Sequence, residues 1–162
     1  MIAIQDLLEA YQRNLDIITL QSKDLSQQDS LRQLPFRSNC LNWVVGHILT
    51  NRCTILRLMG LHDILPGVDL ERYQRESDPI TGPGKGVLTL AELINHLATT
   101  QQLLAQALEN ETQDTLQRLA SFPGSSERPL AYWLFFFFFH DCYHVGQTEI
   151  LRQAAGADDK II

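Results

Sequence analysis

Residues 130–147 read LAYWLFFFFFHDCYHVGQ, an apolar run of ten residues that leads straight into two histidines four apart. Ten apolar residues fall far short of the roughly 20 that span a bilayer, and polar residues follow at once. The stretch is therefore expected to be a buried helix and not a membrane span. Pro129 suits the first turn of such a helix and Gly156 its end, so the helix should run to about Ala155. At ~100° per residue, His140 and His144 lie only about 40° apart on one face. Trp133, Phe136, Phe137, Gln147 and Leu151 share that face, and its apolar members mark it as the inward one.

Two inward imidazoles one turn apart can reach a single cation at ~2.0–2.1 Å. They can equally be a pair of buried histidines satisfied by hydrogen bonds. His47 tips the balance towards metal. It follows Trp43-Val44-Val45-Gly46 in the middle of an amphipathic segment, so it too can face inward. Burying a polar group without a partner costs roughly 2–7 kcal/mol. A shared metal would satisfy one nitrogen of each ring, leaving the other in need of a nearby acceptor. Asn51, four after His47, and Gln147, three after His144, are candidates for such supporting roles, although each also fits a solvent-facing or helix-bridging position. Gly46 would admit another backbone or a ligand close to His47, or merely ease helix packing. Asp141 and Tyr143 should flank the ligands. Cys142, ~200° from His140, should point away as a buried or interface thiol. Cys40 and Cys53 have no better claim, and His62 and His96 read as ordinary histidines.

Outward from this segment, three more stretches show helical periodicity, and none shows convincing strand alternation. The first runs from about Ile2 to Gln21, on a stripe of Ile4, Leu7, Leu8, Tyr11, Leu15 and Ile18. Asp24 to Ser30 is polar and expected to be a loop. The second helix should start after Ser38 or Asn39 and end at Gly60. The third is announced by a capping box, Thr89-Leu90-Ala91-Glu92, with Leu88 and Leu93 as a hydrophobic staple. A short helix is expected over Asp114 to Leu119, and residues 122–126 break the chain. Between the second and third helices, residues 61–87 form a long irregular stretch rich in Pro and Gly. It is either a functional wall or lid, or a solvated crossover between distant helices. The expected fold is all-α: one domain over residues 1–162, an up-down-down-up four-helix bundle with one long crossover.

The chain of 162 residues is 44% hydrophobic and 20% charged, the composition of a globular protein with a real core. Its net charge of -6, with no block of Lys and Arg, argues against a nucleic-acid partner. Met1 to Asp6 lacks the basic start and apolar stretch of a signal peptide. The three cysteines have no CxxC spacing, so a reducing cytoplasm is expected.

Together, Asn42-Trp43-Val44-Val45-Gly46-His47-Ile48, the run His140-Asp141-Cys142-Tyr143-His144-Val145-Gly146-Gln147, Leu151-Arg152 and Gly156 resemble the DinB/YfiT-like superfamily of bacterial four-helix proteins. Ser77-Asp78-Pro79-Ile80, within the stretch from Tyr73, also resembles the loop before that family's third helix. The likeness spans essentially the whole chain in the right order. It implies a bundle with a three-histidine site for one divalent ion such as zinc or nickel, with His47, His140 and His144 as ligands. It also implies a small-molecule substrate and chemistry with low-molecular-weight thiols such as bacillithiol or mycothiol, or metal-dependent hydrolysis. No substrate residue carries over.

Three protein ligands would leave a fourth position open for water or thiolate, the pattern of catalytic zinc. The expected chemistry is thus a metal-activated thiol or water attacking a small electrophile. The rival is a non-catalytic metal-binding or dimeric stress-response module. His140 to His144 is not a metalloprotease HExxH helix: Asp141 is a carbon short, no strands are expected, and only 18 residues follow. Gly82-Pro83-Gly84-Lys85-Gly86 is no phosphate-binding loop, since Gly follows Lys85. The five phenylalanines from Phe135 to Phe139 point to every side of their helix. Some must meet another helix or a second subunit, which raises a homodimer.

Overall fold

The computed structural model describes residues 3–109, 111–157 and 159, so Ile2, the expected start of the first helix, lies outside them. In chain order come α1 (Ile4–Ser22), α2 (Gln27–Ser30), α3 (Leu41–Leu58), a 3-10 turn (Glu71–Tyr73), α4 (Leu90–Glu109), α5 (Gln113–Leu116), β1 (Leu119–Ala120), β2 (Arg128–Pro129) and α6 (Leu130–Ala154). The protein is all-α but for the two-residue strands. No helix among the described residues is long and apolar enough to cross a membrane.

The ends of these helices follow local chemistry. Thr89 Oγ1 accepts from the Glu92 amide, and a Glu92 carboxylate oxygen accepts from the Thr89 amide, so the capping box forms at α4. Gly60 ends α3 with φ +93°, and the amides of Gly60 and Leu61 return to the carbonyls of Arg57 and Leu56. Other expectations are corrected. Asp24 to Ser30 is not all loop, because Ser26 and Asp29 cap each other and start the single turn α2. Helix α3 begins after Cys40, whose side chain makes no capping bond, and not after Ser38 or Asn39. The short helix covers Gln113–Leu116 and gives way to β1, which pairs antiparallel with β2. Pro129 therefore sits in that ribbon, one residue before α6. Strands of two residues are too short for alternation to show in a sequence.

Helix α1 packs on α4 and α6, and α3 packs on the same two from the other side. Tyr11 donates to the Leu134 carbonyl and Arg152 to the Gln21 carbonyl, contacts that rise together along α1 and α6. Asn42 donates to the Leu88 carbonyl and Arg52 to Gln101, rising together along α3 and towards the middle of α4. Neighbouring helices that run the same way cannot be joined by a tight turn. The long connection after α3 is thus a crossover, but between adjacent helices and not distant ones. It buries Tyr73 and Ile80 in the core.

Two apolar clusters fill the bundle. One, near the histidines, includes Trp43, Val44, Ile48, Leu93 and Val145; the other includes Tyr11, Ile55, Leu104, Leu134 and Phe137. Each buried side chain of this size contributes about 1.5–3 kcal/mol. The layer between the clusters is polar. Arg52, almost wholly buried, donates to Asp141 Oδ2 at 2.6 Å, to Gln101 Oε1 at 2.6 Å and to the Tyr11 carbonyl at 3.2 Å. One guanidinium thereby ties all four long helices at a single level, fixing how α6 slides against α3.

Candidate metal centre

His47 is the most enclosed of the three histidines. Its ring stacks on Trp43 one turn before it, with centroids 4.6 Å apart. Its Nδ1 lies 2.8 Å from the Tyr73 carbonyl oxygen. A carbonyl only accepts, so Nδ1 carries the hydrogen and Nε2 keeps a free lone pair. Gly46 makes this possible: a Cβ there would clash with the ring carbons of Tyr73. Tyr73 is anchored in turn, its hydroxyl donating to Asn42 Oδ1 at 3.1 Å and accepting from the Leu88 amide at 2.8 Å.

His144 is set the same way by its own helix. Gln147 Oε1 lies 2.7 Å from His144 Nδ1, which leaves His144 Nε2 as an acceptor. That Nε2 stands 3.2 Å from His140 Nε2, while His140 Nδ1 is buried with no partner. Two nitrogen lone pairs this close repel unless a proton or a cation sits between them. The spacing is near the ~3.3 Å edge of a tetrahedron whose nitrogens lie ~2.0–2.1 Å from a central ion. One ring nitrogen from each of His47, His140 and His144 falls within 4.8 Å of the others. The donor set therefore fits a divalent metal.

Burial controls their protonation. Loss of water lowers His47 to about 4, against the raising effect of the Tyr73 carbonyl, with the neighbouring His144 lowering it further. Burial first, then the neighbouring His144 and His47, lowers His140 to about 3. His144 is lowered by burial as well, against its bond to Gln147. At neutral pH all three are uncharged, the form that coordinates metal.

The histidines open onto a cavity of about 610 Å³ whose wall includes Phe36, Arg37, Trp43, Arg75, Tyr143 and Ile150. No carboxylate or thiol among the described residues joins the three-histidine group. A metal held there would keep a coordination position facing the cavity.

The sequence-predicted residues fare differently. His140 and His144 are half-buried at the edge of the core and do not project into its middle. Of the residues expected on their face, Trp133, Phe137 and Leu151 are buried and Gln147 half-buried, but Phe136 is exposed, and the buried stripe extends round α6 to Leu134, the fully buried Asp141, Val145 and Thr148. Phe136 and Asp141 were misplaced because apolar residues surround this helix on all sides. Gln147 contacts His144, whereas the Asn51 amide donates back to the His47 main-chain carbonyl at 2.8 Å and reaches no ring. Cys142 is exposed, not buried, 3.4 Å from Asn14 Nδ2. His62 and His96 lie outside the group. Sequence reading missed the Tyr73 carbonyl, since a backbone atom in an irregular stretch leaves no signature. It also missed the Arg52–Asp141 pair, although a lone Asp at i+4 from Phe137 and i−4 from Val145 was a signal.

Comparison with known proteins agrees with this architecture. Among curated proteins, none matches the chain. The crystal structure of a DinB-like protein from Bacillus cereus ATCC 10987 superposes with a TM-score of 0.67 over 94% of this chain and 93% of that one, at 20% identity. That likeness carries the fold. The model of the DinB superfamily matches residues 9–148, a span that holds all three histidines and all four long helices in whole or in large part. By that match and by its fold, the chain belongs to the DinB superfamily.

Proposed function

We propose that this protein is a metal-dependent enzyme of the thiol-transferase or hydrolase type, with one zinc or nickel ion held by His47, His140 and His144. The observation that carries this reading is the convergence of three imidazoles, with no fourth ligand among the described residues, on the wall of an open cavity. Structural zinc usually fills all four positions from protein, whereas an open position marks a reactive site. When bound there, a divalent ion supplies Lewis acidity that lowers the pKa of a coordinated thiol or water towards neutrality.

The chain supplies the rest. The Tyr73 carbonyl and Gln147 Oε1 each hold an Nδ1 hydrogen, which turns Nε2 of His47 and of His144 towards the shared point. Trp43 and Val44 keep that side of the cavity apolar, which excludes water and strengthens electrostatic effects inside. Arg37 and Arg75 are the charged groups on its wall, with no carboxylate among the lining residues. A small electrophilic substrate would enter from that side.

The test is to load the protein with cobalt, add a panel of low-molecular-weight thiols, and follow the thiolate-to-cobalt absorption band alongside turnover of haloalkane, epoxide and ester substrates. The reading expects a band that grows with thiol and at least one substrate consumed. A metal-loaded protein that shows neither band nor turnover would favour a non-catalytic metal-binding module.

A further inference from the structure

Helix α6 carries a second feature besides its two histidines. Tyr132, Phe135, Phe136, Phe139, Tyr143 and Ile150 are each between 38% and 63% exposed. At ~100° per residue, all six fall within an arc of about 100° and form one stripe along almost the whole helix. Large aromatic side chains each present ~150–250 Å², so the stripe exposes on the order of 600 Å² of apolar surface. That is at the upper limit of the largest patch on an ordinary monomer and approaches the ~800 Å² per partner of a stable interface.

A hole lies in the same stripe. Gly146 is exposed, and a Cβ built on it would meet nothing within 4 Å. Glycine inside a helix weakens it relative to alanine, and no contact within the chain uses the gap. We propose that the stripe seats a second copy of this chain, its α6 antiparallel across a two-fold axis that passes between Cys142 and Tyr143. Phe139 and Gly146 are equally far from that point, so each copy's Phe139 fills the gap over the other's Gly146. The same operation sets Phe135 against Ile150, Tyr143 against Cys142, Phe136 against Glu149 and Tyr132 against Gln153, so every member of the stripe lies over the partner helix and the contacts are reciprocal, as an isologous interface requires. A register seating Tyr143 on Gly146 would carry Tyr132 past the end of α6 at Ala154 and leave it uncovered. A membrane surface is the weaker occupant: the chain has a net charge of -6, and Glu149 borders the stripe, where membrane-binding helices carry Lys and Arg. Tyr143 and Ile150 also line the metal cavity, so the second copy would stand at its mouth.

Sedimentation velocity over a concentration series, on the wild type and on Phe139→Glu and Gly146→Leu, tests this. Wild type should sediment as a dimer at micromolar concentration, and each variant should dissociate at least tenfold more readily. Gly146→Leu is the sharper variant, because a single chain has room for the side chain and its helix content should hold. A nitroxide on Cys142, the exposed thiol where Cys40 and Cys53 are buried, should show dipolar broadening in the wild type that both variants abolish. A wild type that stays monomeric at several hundred micromolar overturns the proposal. So does a dimer indifferent to both substitutions, or a monomer that co-sediments with phosphatidylcholine vesicles unless Phe139 is replaced.

Discussion

Helices α3 and α6 both supply histidines, yet they are buried in different ways. Helix α3 is enclosed on nearly every side, by α4, by α6 and by the crossover that lays Tyr73 against it. Helix α6 is enclosed along one stripe and open along another. The two glycines near the ligands show the contrast: Gly46 has an aromatic ring where its Cβ would be, and Gly146 has nothing. The centre forms where these regimes meet. The rigid side fixes His47, and the open side gives His140 and His144 a cavity to face. Such a division suits a site that must hold a metal firmly and still admit a second molecule.

The contrast is broken most severely on the enclosed stripe of α6. Asp141→Ala leaves the Arg52 guanidinium buried without its counter-charge, and removal of one partner of a buried pair costs about 3–5 kcal/mol. Chemical denaturation should report that loss directly. Next in size is Gly46→Ala, which forces Tyr73 off α3. Overpacking of this kind costs about 1–3 kcal/mol, and because the Tyr73 carbonyl moves too, metal affinity should fall with stability. Gly146→Ala should leave metal affinity within about a factor of two of wild type, by the same geometry in reverse.

Gln147→Ala separates orientation from packing. The side chain is half-buried and hydrogen bonds to His144, so stability should hardly change. Loss of a group that orients a metal-bound histidine typically weakens metal binding by ~10–100-fold, which competition with a chromophoric chelator can measure.

Acid should act on the centre as a whole. In the folded chain His47 titrates at about 4 and His140 at about 3, below the 6.5 of a free histidine. Between those values these histidines bind more protons in the unfolded chain than in the folded one, so their contribution is full above pH 6.5 and declines as pH falls, while Asp141, raised to about 6 by burial, offsets a smaller part of the loss. At pH 5.5 each such histidine costs roughly 1 kcal/mol. The melting temperature of metal-free protein should therefore drop between pH 7 and 5, and less so in His140→Ala. An unchanged slope in that variant would show that His140 is not held neutral by burial.

Much of this was legible in the chain. Helical periodicity and the Thr89–Glu92 capping box located the long helices, and the spacing of His140 and His144 put them on one face. That His47 meets them follows from burial logic and family likeness, because no local pattern relates residue 47 to residue 140. The face of α6 was harder to read. Five phenylalanines in a row erase the hydrophobic contrast that normally marks a buried stripe, so the fully buried Asp141 passed for a flanking residue. The part played by Tyr73 was out of reach for a different reason. Its contribution to His47 is a backbone carbonyl delivered across a 26-residue separation, and side-chain identity says little about where a carbonyl points.

The central claim is that His47, His140 and His144 share one divalent ion, and it is tested most directly by metal stoichiometry. Protein purified without an affinity metal column, and then titrated with cobalt, should bind one equivalent with visible bands of a low-coordinate nitrogen-rich site. His47→Ala, folded by circular dichroism, should bind at least tenfold more weakly. Substoichiometric binding by the wild type, or a His47→Ala variant that binds cobalt with the same affinity and spectrum, would contradict the account.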